Sequence, residues 1–272
     1  MRLEKPIGIL LLLWPTLMAL WIAGQGRPDP VIVFIFIAGV VIMRSAGCVV
    51  NDWADQKFDA KVARTRHRPL VSGSVSETKA KYVFFILLGM ALVLALQLNM
   101  YTLGLSSIGV LLAVTYPFMK RYTHWPQIVL GVAFGWGIPM AYTALQSPMG
   151  IDTVLLGMAN LCWIVTYDTQ YAMADRDDDI AAGVKSTAVL FGRYDCMMVG
   201  IFQGLAFVSF VCLGYVLKLG FYYDIAICCM VALFLYHQFL IKNRTAEQCV
   251  RAFKHNNYVG MVLFLGMFFA YW

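Results

Sequence analysis

The sequence predicts an all-α protein, a polytopic membrane bundle of about nine transmembrane helices with its N-terminus in the cytoplasm. Three observations carry that prediction. Of the 272 residues 61% are hydrophobic and 13% charged, with a mean hydropathy of +0.71, whereas a soluble domain carries about 25% charged residues and about 45–50% apolar ones. Apolar runs of about 20 residues recur, long enough to cross hydrocarbon as helices, where barrel strands would alternate over about ten. Basic residues fall almost entirely on one side. Low charge with abundant Phe, Leu and Ile excludes disorder, and nine spans of about 20 residues use roughly 180 positions. No room remains for a large soluble domain, so 1–272 reads as a single membrane-embedded domain.

Taken in order, residues 7–23 follow Arg2 and Lys5. Trp14, Pro15 and Trp21 interrupt the run and no small-residue cleavage site is clear, so it reads as a first span rather than a leader. The remaining spans are 31–50, running on into an acidic stretch, then 79–98, 101–119, 124–144, 152–172, 195–217, 220–241 and 255–272. Short connections near Asn99, Ser147 and Gly220 make antiparallel neighbours. The two long connections, 56–78 and 173–194, hold most of the chemistry. With the N-terminus inside, every one of the 21 Lys and Arg except Arg27, Lys218 and the intramembrane Arg44 lies on the inner side. That imbalance sets the orientation. The acidic residues cluster inside too, which this rule does not explain.

Asn51, Asp55 and Asp59 are spaced i, i+4, i+8 where the second span meets the cytoplasm, with Asp52 beside them. On a continuing helix they form one stripe of oxygen ligands, and like charges at that spacing repel unless a cation sits between them. Asp175, Asp177, Asp178 and Asp179 follow the sixth span. Asp175 and Asp179 repeat the spacing, and Asp168 shares their face if the helix persists. Singly, these patterns also suit a solvated helix end and an acidic loop. Together, two carboxylate clusters on one side can converge on a hard divalent cation, and Mg2+ prefers a few carboxylates plus substrate phosphates.

Basic residues stand near both clusters. Arg64, Arg66, His67 and Arg68 precede Pro69, and arginine forks bind phosphate oxygens, although a headgroup anchor has the same composition. Gly183, Lys185 and Ser186 could add phosphate donors. Arg44 lies inside the second span on the face of Asn51 and Asp55. A charge there costs at least about 2.5–3.5 kcal/mol, so it must meet an anion, either an ion-pair partner or a substrate. Lys120 and Arg121 end the fourth span after Tyr116 and Pro117 and suit an anionic co-substrate or a headgroup. The seven cysteines and four histidines lack ligand spacing. No Walker loop, dinucleotide fingerprint or nucleophile elbow occurs.

The residues alone therefore describe a Mg2+-dependent membrane enzyme acting on a phosphorylated lipid. A transporter using membrane aspartates is a second class, although its charges should reach mid-membrane. A Mg2+-dependent phospholipid-headgroup transferase is a third, expected to gather its acids in one compact motif. The net charge of +6 is absorbed by orientation and phosphate binding, with no nucleic-acid partner.

Several stretches carry a resemblance: KPIGILLLLWPTLMALW (5–21), AGCVVNDWADQKFD (46–59), RTRHRPLVSG (64–73), YPFMKRYTHWPQIVLG (116–131), YDTQYAMADRDDDIAAGVKSTAVLFG (167–192) and NNYVGMVLFLG (256–266). They resemble the intramembrane aromatic prenyltransferases, UbiA-like proteins, and within them the hydroxybenzoate branch. The resemblance implies nine helices around a lateral, lipid-facing cavity in the bacterial inner membrane, capped on the cytoplasmic side by the two motif loops. It implies transfer of a polyprenyl group from polyprenyl diphosphate to the ring carbon beside the hydroxyl of 4-hydroxybenzoate, in ubiquinone synthesis. By motif match Asn51, Asp55, Asp59, Asp175 and Asp179 would hold Mg2+ and diphosphate, and Arg121 resembles the basic position linked to the aromatic carboxylate. Relatives usually carry a short amphipathic segment before the position of Arg2, and by that comparison Met1 lies late.

Overall fold

A computed structural model describes residues 6–56, 65 and 67–272, and among these no strand occurs. The predicted Asp59, Arg64 and Arg66 lie outside the described residues. Helices α1 (Ile7–Ala23), α2 (Pro30–Ala54), α3 (Glu77–Ala95) and α4 (Met100–Thr115) come first, and α4 tightens into a 3-10 turn, Tyr116–Arg121. Then follow α5 (Pro126–Gly135), α6 (Gly137–Ala144), α7 (Ile151–Ala174), α8 (Arg176–Ala182) and α9 (Thr187–Phe191). After a short 3-10 turn, Gly192–Tyr194, the chain ends in α10 (Asp195–Leu217), α11 (Phe221–Ile241) and α12 (Ala246–Ala270).

Local sequence explains where these helices start. Asp29, Ser76, Asn99 and Ser186 each cap a following helix, accepting from Val31 N, Lys79 N, Thr102 N and Val189 N. Such oxygens satisfy amide groups that have no carbonyl one turn back. The fifth span is broken at Trp136 into α5 and α6. Pro139 causes this: it has no N–H for the Gly135 carbonyl, and its ring crowds that turn.

Six described segments are long and apolar enough to cross a membrane: Pro30–Ala54, Glu77–Ala95, Met100–Arg121, Pro126–Ala144, Thr187–Leu217 and Phe221–Ile241. α1 is a shorter apolar helix of 17 residues, about 25 Å long at 1.5 Å per residue. α7 and α12 have the length, at 24 and 25 residues, but carry more polar groups. The uncharged polar groups in the middle of α7 face protein. α7 packs against α5, α10 and α12, and its Asn160, Thr166, Thr169 and Gln170 are buried. Between α7 and α12, Trp163 Nε1 donates to Asn256 Oδ1 at 2.9 Å, and Asn256 Nδ2 donates to Gln170 Oε1 at 2.8 Å.

One boundary differs by more than two turns. The ninth span is expected at 255, yet α12 begins at Ala246. Glu247, Arg251 and Lys254 hide the helix from a hydropathy reading, but Cys249, Ala252 and Asn256 are fully buried at i, i+3, i+7.

The buried aromatics Trp163, Tyr142, Tyr167 and Tyr223 fill the core. α12 approaches closely at Gly260, where an added Cβ would strike the rings of both Trp14 and Trp163. Gly260→Ala should therefore destabilise the protein by about 1–3 kcal/mol, seen as a lower melting temperature in detergent. An unchanged melting temperature would show that the two indoles can step aside.

Candidate functional site

The first acidic cluster forms because α2 ends there. Asp55 caps α2, its N–H bonded to Asn51 O at 2.9 Å. Asp52 and Asp55 are 8% and 3% exposed, so their charges need partners. Arg68 Nη1 lies 3.2 Å from Asp52 Oδ1, and Lys120 Nζ lies 2.5 Å from Asp55 Oδ2. Asp55 Oδ1 is buried with no hydrogen-bond partner among the described residues. Burial pushes the Asp55 carboxyl above its ordinary pKa, against the pull of Lys120, Arg68 and Arg121. Tyr116 Oη donates to Asn51 Oδ1 at 3.4 Å.

At the second cluster the helix does not persist, so the condition for a shared face with Asp168 is not met. α7 stops at Ala174, Asp175 stands at φ −110°, ψ 9°, and α8 starts at Arg176. Asp168 is therefore not carried onto one continuous face with Asp175. The shorter spacing survives, since Asp179 N bonds to Asp175 O at 2.8 Å. Asp179 is pushed up to about 7, first by burial and then by Asp175, with Lys120 and the Ser186 hydroxyl pulling it down.

The 3-10 turn ties the two clusters together. Pro117 sits in its first turn and ends α4, placing Lys120 where it pairs with Asp55 and acts on Asp179. The Lys120 carbonyl accepts from Lys185 N at 3.1 Å, and Lys185 Nζ donates to Tyr122 O at 3.2 Å. Sequence reasoning missed this link; it left Lys120 between a substrate anion and a headgroup anchor.

Among the described residues no three His, Cys, Asp or Glu stand grouped to hold a metal. The available donors nevertheless fit one. Asn51, Asp55, Asp175 and Asp179 offer only oxygen, the chemistry that Mg2+ selects, and the orphaned Asp55 Oδ1 has an unused acceptor. Asp52 is engaged by Arg68.

Beneath this end lies a cavity of about 360 Å³ with an almost wholly apolar lining from α1 to α6. Gly39 and Gly47 on α2 open its wall, since a Cβ on either would meet nothing within 4 Å. Arg44 and Tyr116 are its notable polar side chains, with Phe134 beside them. Arg44 donates to Cys48 Sγ at 3.0 Å and lies 5.6 Å from the Phe134 ring centre. Its Nε is buried without a hydrogen-bond partner, and it makes no ion pair among the described residues. Arg121 stands elsewhere. It is exposed, donates to Ala54 O at 2.5 Å and lies over Phe118, outside the cavity lining.

The model of the UbiA prenyltransferase family matches residues 12–268. Proteins named 4-hydroxybenzoate octaprenyltransferase from Salmonella paratyphi B and Salmonella newport are each 54% identical over 272 residues, covering 100% of this chain and 94% of theirs. Among solved structures, an apo UbiA homologue from Aeropyrum pernix K1 superposes with a TM-score of 0.83 at 24% identity, covering 98% of each chain. A UbiA homologue from Archaeoglobus fulgidus bound to GPP and Mg2+ gives 0.78 at 16% identity, covering 99% of this chain and 98% of that one.

The raised Asp179 pKa gives a signed expectation. Between about pH 4 and 7 the folded state holds a proton that the unfolded state releases, so without metal this group lowers stability as pH rises. In EDTA, Asp179→Asn should be more stable than wild type at pH 8, by on the order of 1 kcal/mol after allowance for solvent screening, and no more stable at pH 4. An equal effect at both pH values in thermal melts would remove the charge explanation.

Proposed function

Since the chain belongs to the UbiA prenyltransferase family, we propose that it transfers a polyprenyl group from polyprenyl diphosphate to 4-hydroxybenzoate, at the ring carbon ortho to the hydroxyl, in ubiquinone synthesis. The observation that carries this reading is one apolar cavity that holds a half-buried arginine, its Nε without a hydrogen-bond partner, and lies beneath two carboxylate clusters. The whole chain acts as one membrane-embedded unit in the bacterial inner membrane. The placement of Lys and Arg favours a cytoplasmic position for the motif end.

Asn51, Asp55, Asp59, Asp175 and Asp179 would hold Mg2+. When bound, Mg2+ would offset the negative charge that develops on the departing diphosphate. Lys120, Lys185, Arg64 and Arg68 supply ammonium and guanidinium donors to diphosphate oxygens. Lys120 then exchanges its bond with Asp55 for the substrate. The apolar wall takes the prenyl chain and keeps water from the allylic cation left when the C–O bond breaks, while the Phe134 and Tyr116 faces stabilise its charge. Arg44 receives the carboxylate of the aromatic acid, a charge-assisted partner for a guanidinium that makes no direct ion pair among the described residues. The ring carbon beside the phenol hydroxyl forms the new C–C bond, and the ring proton leaves to diphosphate.

The test is a membrane assay with 4-hydroxybenzoate, a prenyl diphosphate and Mg2+, with EDTA as control. Prenylated product should form only with the metal, and its absence would overturn the assignment. Asp55→Ala or Asp175→Ala should abolish transfer in protein that still inserts and folds; near-normal turnover in either would remove the metal-site reading. Arg44→Ala should raise KM for the aromatic acid about tenfold or more, in line with the loss of a charge-assisted hydrogen bond of about 1.5–3 kcal/mol. KM for the prenyl diphosphate should stay level. A larger shift of the aromatic-acid KM in Arg121→Ala would move the carboxylate role to Arg121.

A further inference from the structure

Asp195, the first residue of α10, lies outside both acidic motifs and is fully buried. Its carboxylate accepts Arg244 Nε at 2.9 and 3.1 Å and Arg176 Nη1 at 3.2 Å. Arg244 Nη2 adds a contact at 2.7 Å, and the Cys196 N–H donates at 2.7 Å. Arg176 stands between Asp175 and Asp177, inside the second motif. Arg244 belongs to the connection between α11 and α12, at φ +55°, and also donates to Arg193 O at 2.9 Å. One carboxylate thus draws together the start of α8, the start of α10 and the α11–α12 connection.

Packing does not do this for α8. Its residues are at most half-buried. Beside it a cavity of about 430 Å³ is lined by Asp175, Asp177 and Asp178 together with Asp195, Arg176 and Arg244. The motif therefore has open space on that side rather than a wall of side chains. Its like charges would push it outward, and the charge-assisted bond from Arg176 to Asp195 is one contact that opposes them.

We infer that Asp195 is a positioning residue: through Arg176 it holds Asp175 and Asp179 where they can grip a divalent cation. This rests on the proposed metal-binding role of the two motifs. Asp195 touches no substrate; its effect passes through the Arg176 guanidinium to the backbone that carries the two aspartates. The paired fork of Arg244 fixes the Asp195 carboxylate, so that it can hold Arg176 in one place.

The experiment measures Mn2+ binding by electron paramagnetic resonance on the full-length protein in detergent, with the fold checked by circular dichroism. Asp195→Asn and Arg176→Gln should each weaken Mn2+ binding by about tenfold, the usual scale for losing a group that orients a metal ligand. The double variant should be no weaker than either single one, because both break one linkage. In turnover, half-saturation by Mg2+ should rise while KM for the aromatic acid stays unchanged. If Asp195→Asn does not fold, Arg176→Gln carries the test, since its side chain is 26% exposed and outside the core. Unchanged Mn2+ affinity in folded Arg176→Gln, or additive losses in the double variant, would overturn the inference. Wild-type Mn2+ affinity in Asp55→Ala and Asp175→Ala would instead overturn the metal-site reading beneath it.

Discussion

Hydrocarbon tolerates neither an unpaired charge nor an unpaired peptide group, each costing several kcal/mol, and the rest of this structure follows from that penalty. Helices close their own backbone bonds, so the described chain is built of helices. Charges collect at one end, and there they pair: Asp52 with Arg68, Asp55 with Lys120, Asp195 with Arg176 and Arg244. The departures from the rule are informative. Arg44 keeps a buried Nε without a partner, and Asp55 keeps an oxygen without one. Buried atoms of Trp21, Asn160, Tyr167, Gln170 and His237 also lack partners among the described residues, so it is the place beside the cavity and the acidic clusters that marks Arg44 and Asp55 for a ligand.

Much of the fold was legible because composition and run length act locally. The spans from 7–23 to 220–241 were readable within a few residues, since lipid acts on each run separately. What escaped depended on neighbours. The start of α12 was hidden because Glu247, Arg251 and Lys254 outweigh Cys249 and Ala252 in any average, although only the latter two meet protein. The division of the fifth span was written in Pro139 but masked by the apolar run around it.

The site was legible in residue type and not in pairing. Clustered aspartates announce a cation by their own repulsion, and an arginine inside a span announces an anion. Neither says which cation meets which acid. Lys120 reads as an anchor because it ends a span, yet the 3-10 turn that follows Pro117 brings it to Asp55. Asp195 gives no signal in sequence: a lone acid opening an apolar helix has the character of an N-terminal dipole partner, and its link to Arg176 exists only once the chain has folded.

The polarity of α7 bears on how the chain enters the membrane. Its interior groups find partners on α5, α9 and α12, among them Thr187 for Thr169 and Asn256 for Gln170. Of these neighbours only α5 is synthesised earlier. A nascent α7 thus meets lipid before Thr187 and Asn256 exist to pair with Thr169 and Gln170. The polar face of α7 is completed only when α12 is in place, which ties the settling of this central helix to the end of the chain.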